Sequence, residues 1–344
     1  MLYPYKYPKA KIQNFQSFVN YIMLEVVLKA RKIPDAVFSD SLIIPKYVQF
    51  VRDINPKYIK EPIANMFVIA KSLDSFHLKL LRKAVYENNR IEELCKGNYT
   101  PIRYKYLNGI FLTPQEKKML WNIKAFCNYL YERCLTLAPI YSKYGMLKAY
   151  HDLLVQDDDT CHSCGNASML TTFSTVRNAF DHYLAKQTYP FVSVNFKNLV
   201  PACNICNSQY KKSKDVLEFR GKRRKAFYPF TKEAYEIKFQ IAFQAGFIYS
   251  DAIEPRNIRL RCTCLGHQEE VENWMRVYNI QEQYKAKCCN STFKSYLSSI
   301  IDDTRVKKRS INESLSLFEQ NINADMNFLK VPFFRAALET LGIK

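Results

Sequence analysis

Four cysteines in two C-x-x-C pairs, Cys161-His162-Ser163-Cys164 and Cys203-Asn204-Ile205-Cys206, have the spacing in this sequence that points most directly to chemistry. Two such knuckles can present four thiolates tetrahedrally at about 2.3 Å from one Zn²⁺. Four thiolates leave no open coordination position, so the zinc is expected to be structural. Zinc binding contributes on the order of 10–16 kcal/mol to folding in zinc-finger-like cases. A loop-rich stretch with little core of its own needs that energy. Between the knuckles lies Phe180-Asp181-His182-Tyr183, followed by Lys197-Asn198-Leu199-Val200-Pro201. Asn207 comes directly after the second knuckle and leads into Ser208-Gln209-Tyr210-Lys211-Lys212.

Read in order, C-x-x-C, D-H, N-L-x-x-x-C-x-x-C-N and then lysines, residues 161–214 resemble the HNH endonucleases. The resemblance implies a ββα-metal motif, a two-stranded ribbon with a helix closing over a divalent ion. Asp181 and His182 would lie on the first strand. Neighbouring side chains point to opposite faces of an ideal strand, so a bend or bulge is expected to bring both to the site. Asn198 would sit in the loop and second strand, and Asn207 would open the helix, where the family has His or Asn.

The implied reaction is hydrolysis of a phosphodiester. A neutral imidazole can accept a proton near pH 7, which suits His182 to the role of general base. Asp181 and Asn207 offer oxygen ligands to a hard cation, Mg²⁺ or Mn²⁺. Such an ion polarises the scissile phosphate and neutralises the leaving 3′-oxygen. By the same resemblance Asn198 orients His182 or braces the loop and touches no metal. The basic strip Lys211, Lys212, Lys214, Arg220, Lys222, Arg223, Arg224 and Lys225 exceeds Asp215 and Glu218 by six charges and is expected to hold phosphates around the cut.

Members of the family often read D-H-Y/F-L-P-K, whereas this chain has Ala185 in place of the proline. Tyr189-Pro190-Phe191-Val192-Ser193-Val194-Asn195, Tyr228-Pro229-Phe230 and the stretch around Trp274 also resemble one subgroup. It includes nucleases of bacterial anti-phage defence, often encoded beside an ATPase. That implies DNA as substrate, with RNA equally compatible with the motif, and an ATPase or other defence subunit as partner. The competing reading is a non-catalytic zinc module that binds nucleic acid or scaffolds a partner protein. It predicts binding without a divalent ion and no cleavage.

The elements that must position these residues follow from the rest of the chain. It has 344 residues, 48% of them hydrophobic and 24% charged, a globular balance rather than a disordered one. The formal charge of +19 calls for a polyanionic partner, with nucleic acid first. Residues 1–150 carry 24 Lys and Arg against 11 Asp and Glu, so most of the surplus sits there. Phe15, Phe18, Val19, Ile22 and Val26 recur at helical spacing, and Met66, Phe67, Leu73, Phe76, Leu80 and Leu81 form a second long run. Thr113-Pro114-Gln115-Glu116 reads as a capping box with proline at the first helical position. Leu120, Ile123, Cys127, Leu130 and Cys134 form an apolar stripe behind it. Residues 235–243 and Ile258, Leu260, Cys262 and Cys264 alternate as half-buried strands do, and helical patterns return from Gln268.

The expected fold is α+β and mostly helical. A basic helical N-terminal domain (1–150) ends near Asp157-Asp158-Asp159, an HNH domain with its four-cysteine zinc site follows (151–230), and a C-terminal region of short strands then helices (231–344) completes it. No transmembrane segment or signal-like leader is visible, so a cytoplasmic protein without a membrane partner is expected. Cys262, Cys264, His267, Cys288 and Cys289 read as core more than as a second metal site. His77 reads as a satisfied core histidine. Tyr3, Tyr5 and Tyr7 read either as base-stacking residues or as a docking tail.

Overall fold

The computed structural model describes residues 1–156, 159–247, 253–306 and 308–343. Asp157 and Asp158 of the expected boundary therefore lie outside the described residues. The fold is α+β and mostly helical, and no helix among the described residues is long and apolar enough to cross a membrane. Two compact units are present. The larger comprises Pro4–Asp159 and Met169–Thr231; the smaller comprises Met1–Tyr3, Thr160–Ser168 and Lys232–Lys344.

The larger unit begins with helices α1 (Phe15–Tyr21), α2 (Pro45–Asp53), α3 (Lys60–Ser72), α4 (Ser75–Asn88), α5 (Ile91–Lys96) and α6 (Tyr104–Ile110). Then come α7 (Pro114–Tyr129), α8 (Ala138–Tyr144) and α9 (Leu147–Val155). A wide-turn segment, Ile22–Val27, extends α1, and another, Leu130–Cys134, extends α7. The apolar faces expected of α1 and α7 are buried throughout. The Thr113 hydroxyl accepts from the Glu116 amide while the Glu116 carboxylate accepts from the Thr113 amide, which fixes the start of α7. The second long apolar run divides into α3 and α4. Leu73 is extended, and the Asp74 carboxylate accepts from the His77 amide at 2.8 Å, capping a new helix. Phe76 is consequently exposed, and half-buried His77 lies 3.0 Å from Asp74 Oδ1.

Beyond the helices, β1 (Phe180–His182) pairs antiparallel with β2 (Leu199–Pro201), with Asp181 opposite Val200 and His182 opposite Leu199. A wide-turn helical segment, Ile205–Lys211, follows β2. A short hairpin, β3 (Glu218–Phe219) with β4 (Lys222–Arg223), completes this region. Tyr5 is buried and its hydroxyl donates to the Pro201 carbonyl at 2.8 Å, while Tyr7 packs edge-on against Phe230. Tyr5 and Tyr7 thus dock into the unit rather than offering faces to bases.

The smaller unit pairs β5 (Lys238–Phe243) with β6 (Ile258–Thr263) over six residue pairs, as the alternating patterns require. Helices α10 (Gln268–Tyr278), α11 (Ile280–Cys288), α12 (Ser291–Val306), α13 (Ile311–Gln320) and α14 (Asn327–Thr340) follow. Cys262 is buried on β6 and Cys288 at the end of α11. The segment Thr160–Ser168 joins this unit. The Trp274 indole donates to the Ser163 carbonyl and the Tyr284 hydroxyl to the Cys164 carbonyl, each at 2.7 Å. Leu2 and Tyr3 amides both donate to the His162 carbonyl. Gly165 has φ +62°, and a Cβ there would press on Leu2 and on the Phe328 ring, so only glycine fits this turn.

Candidate active site and metal centre

The cysteine knuckles are built as tight turns. In the first, the amides of Cys164 and Gly165 donate to the Cys161 carbonyl, and the Asn166 amide points at Cys164 Sγ at 3.4 Å. In the second, the Cys206 amide points at Cys203 Sγ at 3.4 Å and the Asn207 amide donates to the Cys203 carbonyl at 3.0 Å. N–H groups aimed at sulfur favour the thiolate form that a metal requires. The sulfurs of Cys161, Cys164, Cys203 and Cys206 lie within 4.8 Å of one another, and all four residues are buried. Tetrahedral Zn–S bonds of about 2.3 Å would set them roughly 3.8 Å apart. The four residues therefore fit a metal ion such as zinc in number, type and spacing. They form the one such group among the described residues, and the cysteines of β6 and α11 are not gathered into a second.

Asp181 and His182 occupy the middle and end of β1, whose three residues keep the alternating burial of a regular strand. Asp181 is 2% exposed, and its Oδ1 accepts from the ammonium of Lys211 at 2.7 Å. Lys211, placed by sequence in the phosphate-holding strip, is itself 0% exposed and also donates to the His182 carbonyl at 2.7 Å. Its charge is used inside the protein, across from β1, and is not offered to a surface phosphate. Arg223 is likewise turned inward. It is half-buried and donates to the Leu217 carbonyl at 3.0 Å and to the Leu94 carbonyl. Arg224 is half-buried, whereas Lys212, Lys214, Arg220, Lys222 and Lys225 are exposed.

His182 is half-buried, with its Nε2 2.9 Å from the Ser193 carbonyl. A carbonyl can only accept, so Nε2 carries the proton and the basic lone pair lies on Nδ1. Burial, with the ammonium groups of Lys186 and Lys211 adding to it, pushes the imidazole down to about 3, so the ring is neutral at pH 7. Tyr131 stands edge-on to the ring with centroids 4.3 Å apart. Ser193 is held in turn, since its hydroxyl donates to the Cys127 carbonyl on α7 at 2.9 Å. The orienting groups, a backbone carbonyl and a tyrosine edge, have no signature in the sequence.

Asn198 is fully buried and clamps the loop between β1 and β2. Its Oδ1 accepts from the Leu184 amide at 2.7 Å, and its Nδ2 donates to the carbonyls of Leu184 and Val192 at 3.0 and 3.2 Å. It braces the loop that carries Ser193 and does not itself reach the imidazole in any hydrogen bond found. Asn207 is half-buried on the segment after β2, and its Nδ2 lies 3.4 Å from the carbonyl of Phe180, the residue before Asp181. Asp181, His182, Asn207 and Lys211 are thereby gathered around one strand. A carboxylate and a carboxamide oxygen are hard donors of the kind Mg²⁺ or Mn²⁺ takes, and in this conformation an ammonium ion neutralises the carboxylate.

No protein-family model, curated protein or solved structure matches this chain.

Proposed function

We propose that the protein is a metal-dependent HNH endonuclease that hydrolyses phosphodiester bonds in DNA. What supports the reading is that Asp181 and His182 are neighbours on a strand of one antiparallel pair, with the His182 tautomer fixed by the Ser193 carbonyl, and that Asn207 from the helical segment that follows reaches the carbonyl just before Asp181. The order strand, loop, strand, helix supports a ββα-metal reading. His182 would accept the proton of an attacking water on Nδ1, while the Ser193 carbonyl stabilises the protonated ring through Nε2. Asp181 and Asn207 would hold a divalent ion, which supplies a Lewis acid at the phosphate. The exposed lysines and Arg220 beyond Asn207 would hold the flanking backbone. The four thiolates would hold a structural zinc. The resemblance to anti-phage nucleases extends the proposal to a defence effector working with an ATPase or another subunit in the cytoplasm.

One observation favours the competing reading of a non-catalytic zinc module. Lys211 already pairs with Asp181 through Oδ1, as a purely structural pair would. Plasmid cleavage separates the two. Purified protein with Mg²⁺ or Mn²⁺ is expected to nick or linearise plasmid DNA, and His182→Ala to lose cleavage while keeping the wild-type melting temperature. Cleavage that survives in His182→Ala would rule out the assigned base. Divalent-independent DNA binding with no cleavage, even with candidate partners added, would favour the binding module.

A further inference from the structure

Three surface cavities of the larger unit, of about 590, 340 and 370 Å³, open along α4. The first and second share Lys79 and Arg82, and the second and third share Lys83, so the three form one track. Arg31 and Lys32 edge one end, and Arg103 lines the other beside the β3–β4 hairpin. Among the described residues no carboxylate lines the first two cavities, although Glu25 pairs with Lys29 and Glu87 with Lys83 at their edges, and Glu218 in the third is paired with Arg103. The floor between the cations is apolar, with Leu24, Leu28 and Leu78.

Aromatic rings stand along the same track. Tyr86 is 53% exposed and Tyr106 55% exposed, with Tyr86 lining the second cavity and Tyr106 the third. The Arg90 guanidinium lies 4.2 Å from the centre of the Tyr86 ring and 4.8 Å from that of Tyr99, so it is held between two aromatic residues. Cations for a phosphate chain combined with open π-faces and an apolar floor are what an unpaired strand requires, because its bases can stack. A duplex keeps its base faces covered and offers only its backbone to such a surface.

We infer that this track binds single-stranded nucleic acid. It names the form in which the proposed nuclease meets its substrate, and so rests on that reading for its purpose. Binding is nevertheless measured apart from cleavage. Fluorescence anisotropy with His182→Ala, without added divalent ion, would compare a labelled mixed-sequence oligodeoxynucleotide single strand with the same sequence as duplex. The single strand should bind more tightly. Adding Lys32→Ala, Lys79→Ala and Lys83→Ala removes three exposed charges and should lower the salt slope by about 2. That corresponds to roughly 50-fold weaker binding at 0.15 M salt if these contacts vanish at 1 M. Lys57→Ala, Lys117→Ala and Lys118→Ala, exposed lysines off the track, make the matched control and should have little effect. Tyr86→Ala and Tyr106→Ala should each weaken single-strand binding about fivefold or more and leave duplex binding unchanged. Equal losses in the track and control triples would overturn the site. Duplex binding as tight as single-strand binding, or indifference to the tyrosine changes, would overturn the single-stranded ligand. Track-dependent binding by a wild-type protein that cuts nothing would leave this inference standing while the nuclease reading fails.

Discussion

Lys211→Met tests whether the charge of Asp181 is balanced from within. Methionine keeps most of the stem and removes the ammonium. Both partners of the pair are buried, and the ammonium bonds Asp181 Oδ1 and the His182 carbonyl at 2.7 Å. Removing one partner of a buried pair typically costs about 3–5 kcal/mol, which corresponds to a fall in Tm of roughly 10 °C for a unit of this size. Asp181→Asn combined with Lys211→Met removes the charge as well as its partner and should recover most of that loss. If Asp181 also ligates a divalent ion, Mg²⁺ at about a hundred times its Kd returns roughly 2.7 kcal/mol to Lys211→Met. The wild type should gain less, because there the metal competes with the ammonium. Thermal melting of the four proteins of the cycle, with and without Mg²⁺, measures all of these quantities. A coupling below about 1 kcal/mol would show that the pair does not balance charge. A Tm of Lys211→Met that ignores Mg²⁺ would remove Asp181 from the ligand set.

Cys203→Ser should leave less than one zinc per chain by elemental analysis and cause broad loss of structure, unlike His182→Ala; full zinc content in that variant would refute the four-cysteine assignment. Gly165→Ala forces a side chain into the left-handed region and against Phe328, at a cost of about 2 kcal/mol or more, visible as a lowered denaturation midpoint. His182 and His151 are pushed by burial to about 3 and about 4, below the ordinary histidine value. The unfolded chain therefore takes up protons near pH 6.5 that the folded protein refuses. Stability should be complete above about pH 7 and fall as pH drops, by at most about 3 kcal/mol per histidine at pH 4 and by less for half-buried His182. Denaturation at pH 7, 5 and 4 measures this, and His151→Gln should flatten the slope; an unchanged slope would show that His151 is not a source of it.

Periodicity is enough where one face of an element is buried. The stripe on α7, its Thr113–Glu116 cap and the alternation that pairs β5 with β6 all stand in the sequence. The α3–α4 break does not, because apolar spacing continues across Leu73 while the deciding feature is one carboxylate, Asp74, capping one amide. The four cysteines are legible because metal ligation demands fixed residue types at fixed spacing. Lys211 is hidden for the opposite reason. A lysine among lysines carries no mark of burial, and only the wide-turn segment after β2 turns it toward Asp181 while Lys212 stays outside. The partners of His182 are a backbone carbonyl and a ring edge, which composition cannot encode.

The first knuckle also has a place in time. Its supports, Trp274 and Tyr284, are 111 and 120 residues downstream of the carbonyls they hold. At synthesis rates of about 5–20 residues per second, some 5–25 s pass between the emergence of Cys164 and that of Tyr284. The helices of the larger unit are complete in the nascent chain before then, whereas Thr160–Ser168 and the first three residues must wait for a later part of the polypeptide. On the ribosome, the first knuckle is thus among the last parts of the molecule to reach its final form.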